Sequence, residues 1–280
     1  MSPPSLFLTS GQQVWEKRMC GRYASFRQAQ DLADAFARSG FIQDVLFADG
    51  SDEWRESFNI APTQDVRIVV ERPLTAAART ETFVDASGQV VDLSTINDDP
   101  VRQVRLARWG LVPSWAKDPS IGSRMINARS ETIAEKPAFK RALASRRCIV
   151  PADGYYEWQK GETAKSPKTP FYITPADGSP FAFAGIYEFW KPKDGGDDAQ
   201  WLVTVSIITT AADGELGEIH DRRPVFLTPE HYDAWLDPEV GAQEALGILG
   251  IDVIDTQHVI VSTDVNRVAN NSPELIREVS

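Results

Sequence analysis

From Cys148 to Thr210 the chain is a near-continuous run of strand signals: Cys148–Val150, Tyr155–Gln159, Phe171–Thr174, Phe181–Trp190 and Trp201–Thr210, separated by Gly, Pro and Asp. Strands that follow one another over short turns favour antiparallel pairing, because a parallel pair needs a long crossover between them. The Gly-, Asp- and Lys-rich stretch Lys191–Gln200 is flanked closely by strand patterns, so it reads as a hairpin loop and not as a domain linker.

The rest of the chain supplies further strands and scattered helices. Val66–Glu71, Val101–Trp109 and Val259–Ser262 read as strands, and Glu81–Leu93 as a hairpin around Ala86-Ser87-Gly88. Ala29, Leu32, Ala33, Phe36 and Ala37 recur at spacings of three and four, which predicts an amphipathic helix over Phe26–Arg38 stopped by Gly40. Helices are also predicted over Ser130–Ala144, Pro229–Leu236 and Pro273–Val279. The expected fold class is α+β, a single domain around a strongly curved, barrel-like antiparallel β-sheet with flanking helices.

Composition narrows the function classes. With 280 residues, 42% of them hydrophobic, the chain can bury a full-sized core. A net charge of −11 argues against non-specific coating of nucleic acid, which needs a broad basic surface. The acidic residues, however, crowd into Asp44–Glu56, Asp92–Asp99 and Asp194–Asp198, whereas Arg22, Arg108, Arg124, Arg129, Arg146, Arg147, Arg222 and Arg223 accompany motif-like segments. Cys20 and Cys148 belong to no C-x-x-C pair, so neither a disulfide scaffold nor a zinc site is suggested, and no metal or cofactor is expected. A reducing compartment, the cytoplasm, fits best. No apolar stretch reaches the roughly 18 residues of a membrane span, and the opening segment lacks the parts of a secretion signal. A monomer without a membrane anchor is expected.

Four stretches combine reactive side chains with turn residues: Met19-Cys20-Gly21-Arg22-Tyr23, Asn127-Ala128-Arg129-Ser130-Glu131-Thr132, Gly154-Tyr155-Tyr156-Glu157-Trp158 and His220-Asp221-Arg222-Arg223-Pro224. With Asn59–Thr63, Trp109–Trp115, Arg147-Cys148 ahead of Pro151, and Val265-Asn266 ahead of Pro273, they occur in an order that resembles the SRAP family, the SOS-response-associated peptidase-like proteins. The resemblance runs from about Cys20 to the C-terminus and divides the chain into a leader, 1–19, and an SRAP-like domain, 20–280.

The resemblance implies a DNA-damage-handling protein that senses abasic sites in single-stranded DNA. In such a protein an N-terminal cysteine forms a thiazolidine with the ring-opened sugar aldehyde, a covalent DNA–protein crosslink that shields the lesion. The residues suit that chemistry. An α-amine has a pKa near about 7.7 to 8.0, so part of it is neutral at physiological pH, whereas a lysine near about 10.4 is almost wholly protonated. The amine can form a Schiff base, and the thiol one carbon away can close a five-membered ring with a large proximity advantage. Cys148, in an apolar Cys-Ile-Val strand, reads instead as a buried hydrophobe.

By the same resemblance Glu157 assists sugar ring opening and Schiff-base formation, and Asn127 hydrogen-bonds the linked cysteine or the sugar. Tyr155, Tyr156 and Trp158 around Glu157 are residues able to desolvate its carboxylate. His220 can exchange a proton with the sugar oxygen during ring opening or reversal. Arg22, Arg129 and Arg222 flank these groups, and their guanidinium forks match phosphate oxygens. Trp109, Trp115, Tyr155 and Trp158 are candidate base-stacking platforms, although core packing is the ordinary use of each.

One feature departs from the family: 18 residues precede Met19-Cys20, which puts the Cys20 nitrogen in a peptide bond. Translation starting at Met19 followed by methionine removal resolves the conflict, as does a prosegment that is cut off, by the protein itself if the peptidase name is apt. The first is preferred because the leader carries no motif. Two other functional classes remain open: a cysteine or N-terminal-nucleophile hydrolase using Cys20 and His220 on peptides or amides, and a non-catalytic single-strand-binding module.

Overall fold

Val66, Ile68 and Val70 point into one apolar cluster and Val69, between them, into another; Cys148 and Val150 are split in the same way from Ile149, and Phe181 and Phe183 from Ala182 and Ala184. Side chains alternate across a strand with period two, so these strands form a sheet covered on both faces. The computed structural model describes residues 20–38, 45–163, 165–196, 199–251 and 253–279; the predicted leader, 1–19, and the predicted helix stop, Gly40, lie outside them.

In chain order the elements are β1 (Tyr23–Ser25), α1 (Ala29–Phe36), β2 (Leu46–Phe47), β3 (Ser57–Ile60), β4 (Asp65–Pro73), β5 (Pro100–Trp109), β6 (Asn127–Arg129), α2 (Pro137–Ser145), β7 (Arg147–Ala152), β8 (Gly154–Gln159), β9 (Thr169–Pro175), β10 (Phe181–Trp190), β11 (Leu202–Ala211), α3 (Gly214–Ile219), β12 (Arg222–Pro224), α4 (Pro229–Leu236), α5 (Ala242–Ile248) and β13 (Thr256–Ile260), with short 3₁₀ segments between some of them. The larger sheet runs β12-β11-β10-β7-β4-β5-β2, with β6 added to β11, and a further pairing of β11 with β5 closes it into a ring. The smaller sheet runs β13-β9-β8-β1-β3.

The fold is thus a mixed α and β domain built on a strongly curved sheet, as the strand run implies. It departs from a purely antiparallel sheet at the seam, where β11 pairs parallel with β5 and with β6, and β2 pairs parallel with β5. The ring interior is filled by Val66, Ile68, Trp109, Val150, Phe183, Val205 and Ile207. Outside it, Leu32 and Phe36 of α1, Leu143 of α2, Trp235 of α4 and Ile248 of α5 cover the second face.

Several predicted elements take a different form. The helix predicted over Ser130–Ala144 begins only at Pro137, after a run of turns. Proline restricts the residue before it to extended backbone, and Lys136 sits at ψ 120° as the helix cap. The Glu81–Leu93 hairpin is reduced to isolated bridges of Val84 with Phe47 and Val90. The helix predicted over Pro273–Val279 is one 3₁₀ turn, Pro273–Ile276, after which Glu278 bridges to Val261.

Arg147, placed among the motif arginines, is a structural clamp. Its guanidinium is buried and donates to the carbonyls of Leu143, Ala144, Trp235, Asp237 and Val240, tying α2, β7 and α4 together. Arg146 likewise pairs with the largely buried Glu188 at 2.8 Å.

Candidate active site around Cys20

The predicted site residues gather where the smaller sheet meets the ring. Only Asp153 separates β7, in the ring, from β8, in the smaller sheet, so the chain passes directly from one to the other. Residues before β1 continue its antiparallel run along β8: Tyr23 is opposite Tyr155, and Tyr156 N–H donates to Arg22 O at 3.0 Å. Two residues further back along this register, the Cys20 nitrogen reaches Glu157 and donates to Oε1 at 2.8 Å. Gly154 makes the close approach of β8 to β9 possible, since a Cβ there would lie 2.4 Å from the Tyr172 ring.

Cys20 and Glu157 are both buried. Burial pushes the Glu157 carboxyl above its usual range, opposed by a charged His220 and by the hydrogen bonds from Cys20. Burial, then the Glu157 charge, pushes the Cys20 thiol far above its usual value, so this sulfur is held as S–H. The Cys20 Sγ lies 4.0 Å from Arg222 O. Asn127, on β6, reaches the Cys20 carbonyl with Nδ2 at 3.5 Å. Pairing of β6 with β11, Asn127 opposite Ile207, brings it there.

His220 caps α3 and adjoins β12. Its Nδ1 lies 3.2 Å from both the Arg222 backbone N–H and Asp221 Oδ1. One ring nitrogen cannot serve both at once: neutral, it accepts from Arg222, and protonated, it donates to Asp221. Cys20, Asn127, Glu157 and His220 therefore gather at one point from four separate segments.

The three arginines expected to bind DNA differ in their surroundings. The Arg129 side chain is exposed and makes no hydrogen bond or ion pair among the described residues. Arg22 donates from Nη1 to Asn59 Oδ1 and Val265 O, both at 2.8 Å. Arg222 forks onto Glu131 at 2.5 and 3.0 Å and onto Thr209 O at 2.7 Å. Of the aromatic candidates, Trp109 and Tyr155 are core residues, Trp158 is partly buried and donates to Asn266, and Trp115 is 54% exposed. A cleft of about 730 Å³ lined by residues including Arg72, Arg105, Phe189 and Trp201 lies elsewhere and is lined by none of Cys20, Asn127, Glu157 and His220.

Sequence reasoning assigned no role to Glu131, Asp221 or Asn59. All three lie inside quoted motifs; Asp221 pairs with its neighbour His220, whereas Glu131 and Asn59 find partners far along the chain, Asn59 holding the carbonyls of Val265, Arg267 and Asn270. Among the described residues no group of three or more His, Cys, Asp or Glu side chains is arranged to hold a metal ion. No helix among them is long and apolar enough to cross a membrane.

Comparison with known proteins follows the same residues. The sequence profile described as SOS response associated peptidase (SRAP) matches residues 19–268. The chain is 37% identical over 262 residues to "Abasic site processing protein YoqW" of Bacillus subtilis, covering 92% of this chain and 99% of that protein. It is 31% identical to "Abasic site processing protein YedK" of Escherichia coli, covering 93% and 100%. It is 30% identical to "Abasic site processing protein HMCES" of Xenopus tropicalis, covering 93% and 78%. A solved structure of a protein from Bacteroides thetaiotaomicron superposes with a TM-score of 0.71 at 25% identity, covering 93% of this chain and all of that one.

Proposed function

The chain belongs to the SOS response associated peptidase (SRAP) family, and from that premise we propose that it processes abasic sites in single-stranded DNA by capturing them as a thiazolidine on Cys20. The names of its relatives support abasic-site processing. The observation that carries the finer reading is the 2.8 Å contact with Glu157 of the Cys20 nitrogen, which lies two carbons from its own residue's thiol, the spacing that closes a five-membered ring.

In the 280-residue chain this nitrogen is an amide; in a chain beginning at Cys20 it is the α-amine, and the reactive form is the latter.

The steps balance as follows. The abasic sugar opens by breaking its C1′–O4′ bond, with His220 giving a proton to O4′ and taking up in return the proton that the C1′ hydroxyl releases. Glu157 takes a proton from the α-ammonium group, and the freed amine adds to the C1′ aldehyde. Protonated Glu157 returns that proton to the carbinolamine hydroxyl, which leaves as water and gives the protonated imine. The Cys20 sulfur then bonds to the imine carbon while its proton passes to nitrogen. One water is lost overall. Asn127 holds the Cys20 carbonyl, and Arg129 is free to hold a backbone phosphate. A thiol kept protonated beside a carboxylate fits amine-first capture better than hydrolysis led by a thiolate.

The test is a denaturing gel of the chain beginning at Cys20 mixed with a single-stranded oligonucleotide carrying one abasic site. A band that survives denaturation is expected for the wild type and absent for Cys20→Ala. Linkage by the alanine variant as stable as that of the wild type would overturn the thiazolidine.

A further inference from the structure

Glu131 lies in the same motif as Asn127 and Arg129, yet the chemistry above gives it nothing to do. Its side chain is 47% exposed and starts just beyond β6, where Ser130 N–H donates to Thr209 O at 2.9 Å and fixes the chain against β11. Both carboxylate oxygens meet the Arg222 guanidinium, Oε1 to Nη1 at 2.5 Å and Oε2 to Nη2 at 3.0 Å. The ion pair holds the carboxyl below its ordinary range, so it stays charged at neutral pH.

Arg222 is seated on its other side as well, with Nη2 on the Thr209 carbonyl at 2.7 Å and its side chain only 11% exposed. Nη1 and Nη2 are therefore occupied within the protein. Its backbone does the connecting: the Arg222 N–H donates to His220 Nδ1 at 3.2 Å, and the Arg222 carbonyl faces the Cys20 thiol at 4.0 Å. One residue thus touches both the sulfur and the imidazole; its backbone is paired with Ala211 of β11, and the fork on Glu131 holds its side chain from the other end.

We propose that Glu131 is a positioning residue that clamps Arg222, so that the Arg222 backbone holds the Cys20 thiol and the His220 ring in register for capture. The competing use, in which Glu131 merely occupies a phosphate site that DNA later takes over, makes the opposite prediction. Freeing Arg222 would then strengthen strand binding. Under the clamp, loss of Glu131 lowers the rate of capture and leaves affinity alone. The proposal rests on the reading that Cys20 and His220 act together, but its geometry can be read without any DNA.

The experiment uses the chain beginning at Cys20 as wild type, Glu131→Gln and Glu131→Ala. Capture of an abasic oligonucleotide is followed to saturation, and capture of glycolaldehyde is followed without DNA. For Glu131→Ala the maximal rate is expected to fall about 10- to 100-fold with both substrates, because a misplacement of about 1 Å can cost about 100-fold in rate. The half-saturating DNA concentration should stay within about twofold, since the clamp makes no strand contact. Glu131→Gln should fall between the two, as its amide oxygen still accepts from Arg222, and it serves as the variant of record if the alanine chain does not fold. Tighter DNA binding at an unchanged maximal rate would overturn the clamp. The His220 ring resonances and the rate of Cys20 alkylation by iodoacetamide should both shift in the variants. If both stay at wild-type values the clamp is wrong, whatever aldehyde capture shows; if they shift while the wild type captures neither aldehyde, the clamp stands and the thiazolidine reading fails.

Discussion

The Cys20 nitrogen and Glu157 Oε1 are 2.8 Å apart although 137 positions separate them in the chain, and both residues are buried. The pairing of β1 with β8 sets that distance, so the carboxylate is built into the sheet beside that nitrogen. Glu157→Gln keeps the shape and removes the proton exchange. Capture of an abasic strand should slow by about 10²- to 10⁴-fold, with strand affinity nearly unchanged. Single-turnover kinetics at saturating DNA, alongside binding to an intact oligonucleotide, check this; loss of affinity at a wild-type rate would remove Glu157 from the chemistry.

The same carboxyl predicts a pH dependence of stability. Burial raises its pKa in the folded state above the unfolded value of about 4.3, so the folded chain binds more protons, and this group's contribution to stability falls as pH rises through that interval. Glu157→Gln lacks the ionisation. Its melting temperature relative to wild type should rise from pH 4 to pH 8, as thermal scans across that range would reveal. A difference that is flat or falls with pH would contradict the raised pKa.

Arg129 and Arg22 should separate strand binding from folding. The Arg129 side chain is exposed without a partner among the described residues, so Arg129→Ala should weaken binding and reduce the salt slope by about 0.7, the share of one phosphate on a single strand. Arg22→Ala loses two 2.8 Å bonds to Asn59 and Val265 and should cost about 1.5 to 3 kcal/mol of stability, measured by urea unfolding. Equal salt slopes for wild type and Arg129→Ala would exclude the phosphate contact.

Gly154 offers a test of the fold at the site. Its Cβ position lies 2.4 Å from the Tyr172 ring and 2.7 Å from the Ile173 carbonyl, so Gly154→Ala forces β8 and β9 apart. Overpacking of this kind costs about 1 to 3 kcal/mol. The variant should lose that stability and should capture DNA more slowly, because β8 carries Glu157; unaltered unfolding would show that the sheet yields there freely.

How much of this was legible in the sequence depended on length and on locality. Phe181–Trp190 is ten residues long and appears with the predicted bounds, because a long strand repeats its period many times. β1, β6 and β12 have three residues each, too few to show a period, yet Cys20, Asn127 and His220 lie in or beside them. Those residues were found through motifs and not through secondary structure. Which arginines stay open could not be read: Arg222 and Glu131 are 91 positions apart and meet only because both β6 and β12 pair with β11. Arg147 was likewise indistinguishable from a surface arginine until its five carbonyl partners were assembled around it.

The most direct test is the intact mass of the product formed on an abasic single strand by two chains, one beginning at Cys20 and one retaining residues 1–19. With the leader attached, the Cys20 nitrogen is an amide whose lone pair is delocalised into the carbonyl, and it cannot form an imine. The chain beginning at Cys20 should give a denaturation-resistant adduct weighing the sum of protein and oligonucleotide less one water. The longer chain should give none, its thiol alone forming only a reversible hemithioacetal. An adduct from the longer chain that forms as fast and is as stable, with its mass showing residues 1–19 still present, would contradict capture through the Cys20 amine.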